Sequence, residues 1–418
     1  MKRIAIIGSG ISGLYAAYLL HKEYDITIYE KEQYLGGHTR TLSVEYKNGV
    51  NIDVDTGFIV FNEQNYPNFT KMLNTLNVRY GNSDMSFAVT SSMHKDPEIK
   101  YSDINSFFAD KKTIFSYKRY NLLYNINKFN YLSKKTLKNI NNDIGNITLH
   151  KFLKDNNFND FFIDNYVLPM GSSIWSCKPS QILQFPYLSY VRFMNNHGLL
   201  SINNQPQWHY IKNGSKTYVN SLIEYIDTDN RVNSEVKEVI KSNNGVKIIT
   251  DDSNDRYDYV FFCNHPNEVT SIGKNLSNHQ IDVLKDIKYS KNEVVLHKDP
   301  SIMPRNPKCW ASWVYKKTKN NHPILSYWMN SLQDIDNKYP IFASLNPGEQ
   351  IKEDKIFNKH ILEHPFFDMT ARNAQNLMPL IQGKNNSFFC GAYNKYGFHE
   401  DGVVSSIKAV EKLKSIDL

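Results

Sequence analysis

The chain is poor in the features that mark several large protein classes. It has four cysteines in 418 residues (Cys177, Cys263, Cys309 and Cys390), far apart in sequence and with no CxxC pair. That excludes a disulfide scaffold and a zinc-ribbon spacing, and it suits free thiols in a reducing cytoplasm. HExxH and GxSxG are absent, so metalloprotease and α/β-hydrolase readings lack their motifs, and no metal site is expected. No apolar run reaches the length of a membrane-spanning helix, and the first motif begins almost at Met1, leaving no room for a signal peptide. A cytoplasmic protein is expected. Internal repeats and low-complexity linkers are missing as well. The net charge of +7 is mild for this length and gives no reason to expect a nucleic-acid partner.

What is present is an ordinary globular composition, 41% hydrophobic and 22% charged, in a chain long enough for two domains. The most informative stretch is IAIIGSGISGLYAAYLLHKEYDITIYEK, residues 4–31. Ile4 to Ile7 read as a strand buried on both faces. Gly8, Gly10 and Gly13 follow with G-x-G-x-x-G spacing. The first permits a tight turn, the second lets the backbone approach a pyrophosphate, and the third lets a helix pack against the strand. Leu14 to Leu20 read as that helix, its positive dipole end facing the phosphates. Ile26 to Tyr29 give a second strand. Glu30 ends it, where a carboxylate accepts from ribose hydroxyls and repels a 2′-phosphate.

YLGGHTRT, residues 34–41, adds a second glycine pair, and VDTGFIVFNEQNYPNF, residues 54–69, adds Gly57 after a short strand. A simple NAD domain needs neither. A large FAD domain needs both, because its chain passes the pyrophosphate and the flavin again. The rest of the chain divides by pattern. Residues 1–85, 205–275 and 374–418 read as three pieces of an FAD-binding domain. Residues 86–204 read as a mostly helical cap, and 276–373 as an antiparallel sheet. The fold class expected is α/β: a Rossmann-like FAD-binding domain with an interleaved α+β substrate domain and a ligand cleft between them.

These blocks, together with SDMSFAV (83–89), PMGSSIWS (169–176), NHGLL (196–200), PQWHYIKNGSKTYV (206–219) and GAYNKYGFHEDGVVSS (391–406), resemble the FAD-containing amine oxidase superfamily over nearly the whole chain. That superfamily holds monoamine oxidases, protoporphyrinogen oxidase and phytoene-desaturase-like enzymes; the chain looks closest to a bacterial branch of predicted NAD/FAD-binding oxidoreductases. The resemblance implies non-covalent FAD. It would be held by Gly8, Ser9, Gly10, Ile11, Ser12 and Gly13, by Glu30 and Lys31, and by Gly36, Gly37, His38 and Thr39. Further contacts would come from Gly57, Phe58, Ile59, Val236 and Gly391, and from Glu400, Asp401, Gly402 and Val403 at a helix N-terminus. A plain helix cap is the alternative for Glu400 and Asp401.

The chain departs from the family pattern at three places. Tyr34 and His38 stand where many members carry arginines. Asn292 aligns with the lysine that amine-oxidising members place near flavin N5, and Lys291, beside it, would point to the opposite face. Cys390 is not where covalently attaching members put their cysteine.

The implied activity is flavin-dependent oxidation of a hydrophobic substrate, with lipid acyl chains suggested by association only. Strict amine oxidation and a non-catalytic flavin-binding protein remain alternatives. His399, Tyr393 and Tyr396 are the candidate catalytic residues, and His197 is a further polar contact. Eleven large apolar side chains fall near the proposed cleft: Met170, Ile174, Trp175, Phe185, Tyr187, Phe193, Trp208, Trp310, Trp313, Tyr327 and Trp328. About a third are expected on the ligand surface, since such residues are more often core. Residues 111–142 carry eight Lys or Arg and no Asp or Glu, with Leu122, Ile126 and Phe129 at helical spacing. Either a cap helix with a solvated basic face, the preferred reading, or peripheral contact with an anionic membrane fits that pattern. Oligomeric state cannot be read from the sequence.

Overall fold

The computed structural model describes residues 1–93, 98–139, 147–201, 205–319 and 322–417. Residues 140–142 of the basic segment therefore lie outside the described residues.

The strand Arg3–Ile7 forms where expected and is buried almost throughout. It is the centre of a five-stranded sheet ordered Ser387–Phe389, Tyr259–Phe262, Arg3–Ile7, Asp25–Tyr29, Asp229–Arg231. Every pairing in it is parallel. Strands drawn from both ends and the middle of the chain thus meet in one sheet, and their carboxyl ends form one edge. In such a sheet a ligand binds beyond that edge. The helix Ile11–Leu20 is buried on nearly all sides, between this sheet and the last helix, His399–Asp417. Its sequence is correspondingly apolar all round rather than striped.

The second sheet has seven strands, ordered Ile356–Phe366, Lys288–His297, Phe342–Leu345, Ile324–Trp328, Trp313–Lys317, Phe87–Ser91, Ile99–Lys100. It is antiparallel except where Trp313–Lys317 runs parallel to Phe87–Ser91. The cap segment therefore gives two strands to this sheet before turning helical. Its longest helix, Tyr117–Lys138, buries Leu122 and Phe129 against Phe152, Phe158 and Phe162. The helix Asn278–Lys285 packs Val283 and Leu284 into the core that contains Val236, Val260 and Ala374, beside the parallel sheet. Within 205–275 an antiparallel hairpin, Glu238–Ser242 and Gly245–Ile249, is extended by a third strand, Asn254–Tyr257.

Asp55 ties the two halves together. Its buried carboxylate accepts from Thr41 Oγ1 (2.6 Å), Ser215 N (2.8 Å), Ser215 Oγ (2.7 Å) and, across the domain boundary, Gln333 Nε2 (2.9 Å). Among the described residues no helix is long and apolar enough to cross a membrane.

Candidate functional site

One continuous cavity of about 1250 Å³ runs from the glycine turn, across the carboxyl edge of the parallel sheet, to the cap. Small-ligand pockets are usually ~300–1,000 Å³, so this one has room for a dinucleotide and a second molecule.

The geometry of the turn explains each glycine. Gly8 has φ +98°, in the left-handed region. A Cβ on Gly13 would sit 2.0 Å from Gly8 O, so the helix could not close on the strand. A Cβ on Gly10 would meet nothing within 4 Å; it would project into the cavity. Gly10 also caps the helix Ile11–Leu20, whose first N–H groups are unpaired within the helix. The second glycine pair lies against the first. Gly36 N donates to Ser9 O at 3.1 Å, and a Cβ on Gly37 would come within 3.0 Å of Gly10 Cα. Gly57 packs the same way, its Cβ position 2.1 Å from His38 O. Three separate glycine segments thus build one narrow cradle.

Glu30 is buried at the end of the second strand and borders the cavity. Its carboxylate accepts from Ser9 N (3.0 Å), Ser9 Oγ (2.5 Å) and Glu32 N (3.0 Å). Ser9, Ile11, Ser12, Lys31, Phe58, Ile59, Val236 and Gly391 also border the cavity. Lys31 is exposed and pairs with Glu268 at 2.6 Å. His38 borders it too. Its Nε2 must donate to Glu363 O (3.0 Å), because a carbonyl only accepts. Burial, then the neighbouring His265, holds His38 down at about 4, so it is neutral at pH 7. A neutral imidazole, not a cationic side chain, therefore stands at this point of the wall.

Several expected contacts lie off the cavity wall. Thr39 is buried, its Oγ1 2.5 Å from Tyr218 Oη and 3.1 Å from His399 Nε2. Glu400 accepts from Asn68 N (3.1 Å), Asn68 Nδ2 (2.6 Å) and Phe69 N (3.0 Å), at the start of the helix Pro67–Thr75. Asp401 Oδ2 accepts from Tyr396 N (3.1 Å) and Phe398 N (3.0 Å). Gly402 is the close-packing point of the last helix, a Cβ there lying 2.7 Å from Ser12 Oγ, and Val403 is in the core. These side chains shape the wall from behind. The helix start does reach the wall, through His399.

His399 stacks on Phe58 at 3.6 Å between ring centroids, with Nε2 also 3.1 Å from Tyr218 Oη. Burial, then His38, keeps it neutral far below its ordinary range. Its stacking and its hydrogen bonds to Thr39 and Tyr218 make it a packed part of the wall. Tyr393 borders the cavity, nearly fully buried, with its Oη lacking a partner; Asn264 Oδ1, on the same wall, is likewise unpartnered. Tyr396 borders it as well, and its carbonyl accepts from Trp175 Nε1 (3.1 Å), tying the cap helix Leu168–Trp175 to the nucleotide side. His197 is held down at about 4 by burial, its Nδ1 donating to Phe193 O.

Of the eleven large side chains, Met170, Ile174, Trp175, Phe193, Trp208, Trp313 and Tyr327 border the cavity, and Phe185, Tyr187, Trp310 and Trp328 do not. The share is well above a third. Met170, Ile174, Trp175 and Phe193 come from the cap, and Trp208, Trp313 and Tyr327 from outside it. Asn292 and Lys291 do point apart. Asn292 is buried and donates to Ser176 O (3.0 Å), whereas Lys291 stands at the exposed rim with Glu363 3.6 Å away. Cys263 and Cys390 end neighbouring strands with their thiols in hydrogen-bond reach, although far apart in sequence.

Asn264, His265 and Glu268, absent from the sequence expectations, also border the cavity. They follow the parallel strand Tyr259–Phe262, and the rule that ligands sit at strand carboxyl ends points to that loop. Glu363 and His364 come from the far end of the other sheet, and nothing local marked them.

With this geometry in place, similarity to known proteins can be read. A family profile for a NAD(P)-binding Rossmann-like domain matches residues 6–76. No curated protein matches by sequence. Among solved structures the chain is similar to cyclohexylamine oxidase from Brevibacterium oxydans IH-35A (12% identity, TM-score 0.72, all of both chains). It is similar to a CLA-producing fatty acid isomerase from P. acnes (13%, 0.68, 98% of each). A putrescine oxidase redesigned at its cofactor site is also similar (14%, 0.71, 99% of each). At these identities the likeness is one of fold. The profile match and the neighbours share the Rossmann-like α/β fold expected from the sequence.

Proposed function

We propose that the protein is an oxidoreductase that holds FAD non-covalently and acts on an apolar substrate, with lipid acyl chains the favoured class. The carrying observation is the charge pattern of the cavity. Its nucleotide end has the glycine cradle, an open helix N-terminus and Glu30. In its cap half, among the described residues, Asp103 is the one charged lining residue, and that carboxylate caps a short helix by accepting from Ser106 N (2.9 Å).

The residues present fit the cofactor. Gly10 leaves the cradle open at the helix start, where a pyrophosphate gains from unpaired N–H groups. Glu30 suits ribose hydroxyls and Val236 the adenine. The unpartnered Tyr393 Oη and Asn264 Oδ1 are a donor and an acceptor left over on the cavity wall, Asn264 beside the glycine turn. Bound FAD supplies a two-electron acceptor, the chemistry no side chain here provides. The chain's own part is to orient and to exclude water. The aromatic cap wall removes water from an apolar substrate, and neutral His38, His197 and His399 keep cationic charge off the wall.

Strict amine oxidation is the second reading. Fold likeness to cyclohexylamine oxidase and putrescine oxidase favours it. The wall opposes it, since no carboxylate in the cap half stands free to hold an ammonium. The likeness to a fatty acid isomerase favours the acyl reading. The test is an anaerobic panel on the flavin-loaded protein. Unsaturated and methylated fatty acids should bleach the flavin or return an isomerised product, with cyclohexylamine and putrescine inert. Rapid bleaching by the amines alone would replace this reading with the second. Silence from both classes would favour a flavin-binding protein without turnover. Four unpaired cysteines support a reducing, cytoplasmic setting.

A further inference from the structure

We propose that the face around the start of the cap helix docks on an anionic lipid bilayer and sets the cavity mouth against it. Large exposed apolar side chains are scattered singly over most of the chain, but they concentrate here. Ile104 is 77% exposed, Phe115 93% and Tyr117 80%; Tyr120, Tyr124 and Tyr131 are also exposed. Tyr117, Tyr120, Tyr124 and Tyr131 recur every three, four and seven residues along Tyr117–Lys138, which puts them on one helical face. Exposed apolar side chains gathered in one short segment and on one helical face mark an interaction surface. Tyrosine, with an apolar ring and a polar tip, is the residue type favoured where hydrocarbon meets water.

Charge selects the partner. Lys111, Lys112, Lys118, Lys134, Lys135 and Lys138 surround or continue this face. Arg119 is turned inward, its guanidinium donating to Glu98 O. The nearest carboxylates, Asp103 and Asp110, cap local turns through Ser106 N and Lys112 N. A basic, aromatic surface with little opposing acid matches an anionic headgroup layer. No described helix could span the bilayer, so the contact is peripheral.

The adjoining face of the same helix carries Leu123, Ile126, Asn127 and Asn130, which line the cavity. Ile104 and Phe108 line it from the other side, and Phe108 packs on Tyr120 at 5.5 Å. Exposed Ile104 and Asn127 therefore mark an opening between the short helix Ile104–Phe107 and the cap helix, at the edge of the tyrosine face. A lipid could pass from a bilayer into the cavity there without crossing water. That passage rests on the apolar-substrate reading; the docking does not.

The experiment is sedimentation of the full-length protein with vesicles of phosphatidylcholine alone or with one-third phosphatidylglycerol, at low and high salt. Phe115→Glu/Tyr117→Glu is the variant, chosen because both side chains lie in solvent and the fold does not use them. Circular dichroism and flavin content should be unchanged. The expected result is binding to the anionic vesicles at low salt, weakened by salt and at least tenfold by the double variant, with a Lys111→Gln/Lys112→Gln variant showing a shallower salt dependence. Absence of binding to anionic vesicles at low salt, or binding that the double variant leaves intact, overturns the proposal. So does a stable dimer that dissociates in the double variant, because the face would then belong to a second copy of the chain. None of these readouts needs turnover, so failure here is distinct from failure of the catalytic reading.

Discussion

Replacing Gly10 and Gly13 with alanine, one at a time, separates the two jobs of the glycine turn. Gly10 has φ −63° and ψ 177°, a conformation alanine adopts freely, and its Cβ would touch nothing within 4 Å. The apoprotein should lose no stability, or gain up to about 1 kcal/mol from a stiffer unfolded chain. The added methyl group stands where a pyrophosphate meets the helix N-terminus. Losing one charge-assisted hydrogen bond there costs about 1.5–3 kcal/mol, which is roughly a tenfold to 150-fold weaker FAD affinity. Gly13→Ala acts oppositely. Its Cβ would lie 2.0 Å from Gly8 O, a backbone atom held in the turn. Overpacking of that kind costs about 1–3 kcal/mol or more in the apoprotein itself. The assay is urea unfolding of both apoproteins, followed by flavin titration. An FAD affinity within twofold of wild type for Gly10→Ala, or full apoprotein stability for Gly13→Ala, would refute the assignment of the two positions.

Other expectations follow from the same geometry. Asp55→Ala strands the Ser215 amide and the Gln333 side chain, and should cost roughly 2–4 kcal/mol in urea unfolding; a loss under 1 kcal/mol would mean the two halves are not joined there. Asp401 is held up at about 6, chiefly by burial. Between its unfolded value of ~3.9 and 6, the folded state keeps a proton that the unfolded state has lost, so this residue's contribution falls as pH rises through that window, by on the order of 2–3 kcal/mol. Asp401→Asn keeps an oxygen for both N–H groups and should remove that slope; a difference between the two proteins that is independent of pH from 4 to 6 contradicts it. All four cysteines are free, and burial pushes the thiols of Cys177, Cys263 and Cys309 up. Native protein should therefore shield Cys177, Cys309 and Cys390 from a thiol-specific disulfide reagent that labels four groups after unfolding, while Cys263 stands half-buried on the cavity wall; prompt labelling of the three buried thiols would contradict the packing.

Local chemistry made part of this site readable in advance. The glycine turn, its helix and Glu30 are set by backbone constraints within about 25 residues, so spacing alone carries them. The cap wall was visible as a surplus of aromatic residues, but not its direction; Trp313 opens a strand and faces the cavity, while Trp310, just before that strand, packs on Trp328 and Phe342. The block at 391–406 misled in a specific way. Its acids look like flavin contacts next to a helix start, yet Glu400 meets Asn68 and Asp401 meets Tyr396 and Phe398. Asp401's partners lie within five residues of it, but Glu400's are set by how the last helix seats on the helix Pro67–Thr75, which no local pattern encodes. The same holds for Glu363 and His364, brought to the cavity by the long strand Ile356–Phe366, and for Cys263 beside Cys390.

The central claim is that the cavity holds FAD as a resident group, and a visible absorption spectrum of the purified protein, repeated on the supernatant after acid precipitation, tests it most directly. The account predicts flavin absorption in the native protein and about one equivalent of FAD released into the supernatant. A colourless protein that FAD cannot reconstitute, or one that binds NAD in its place, would contradict it.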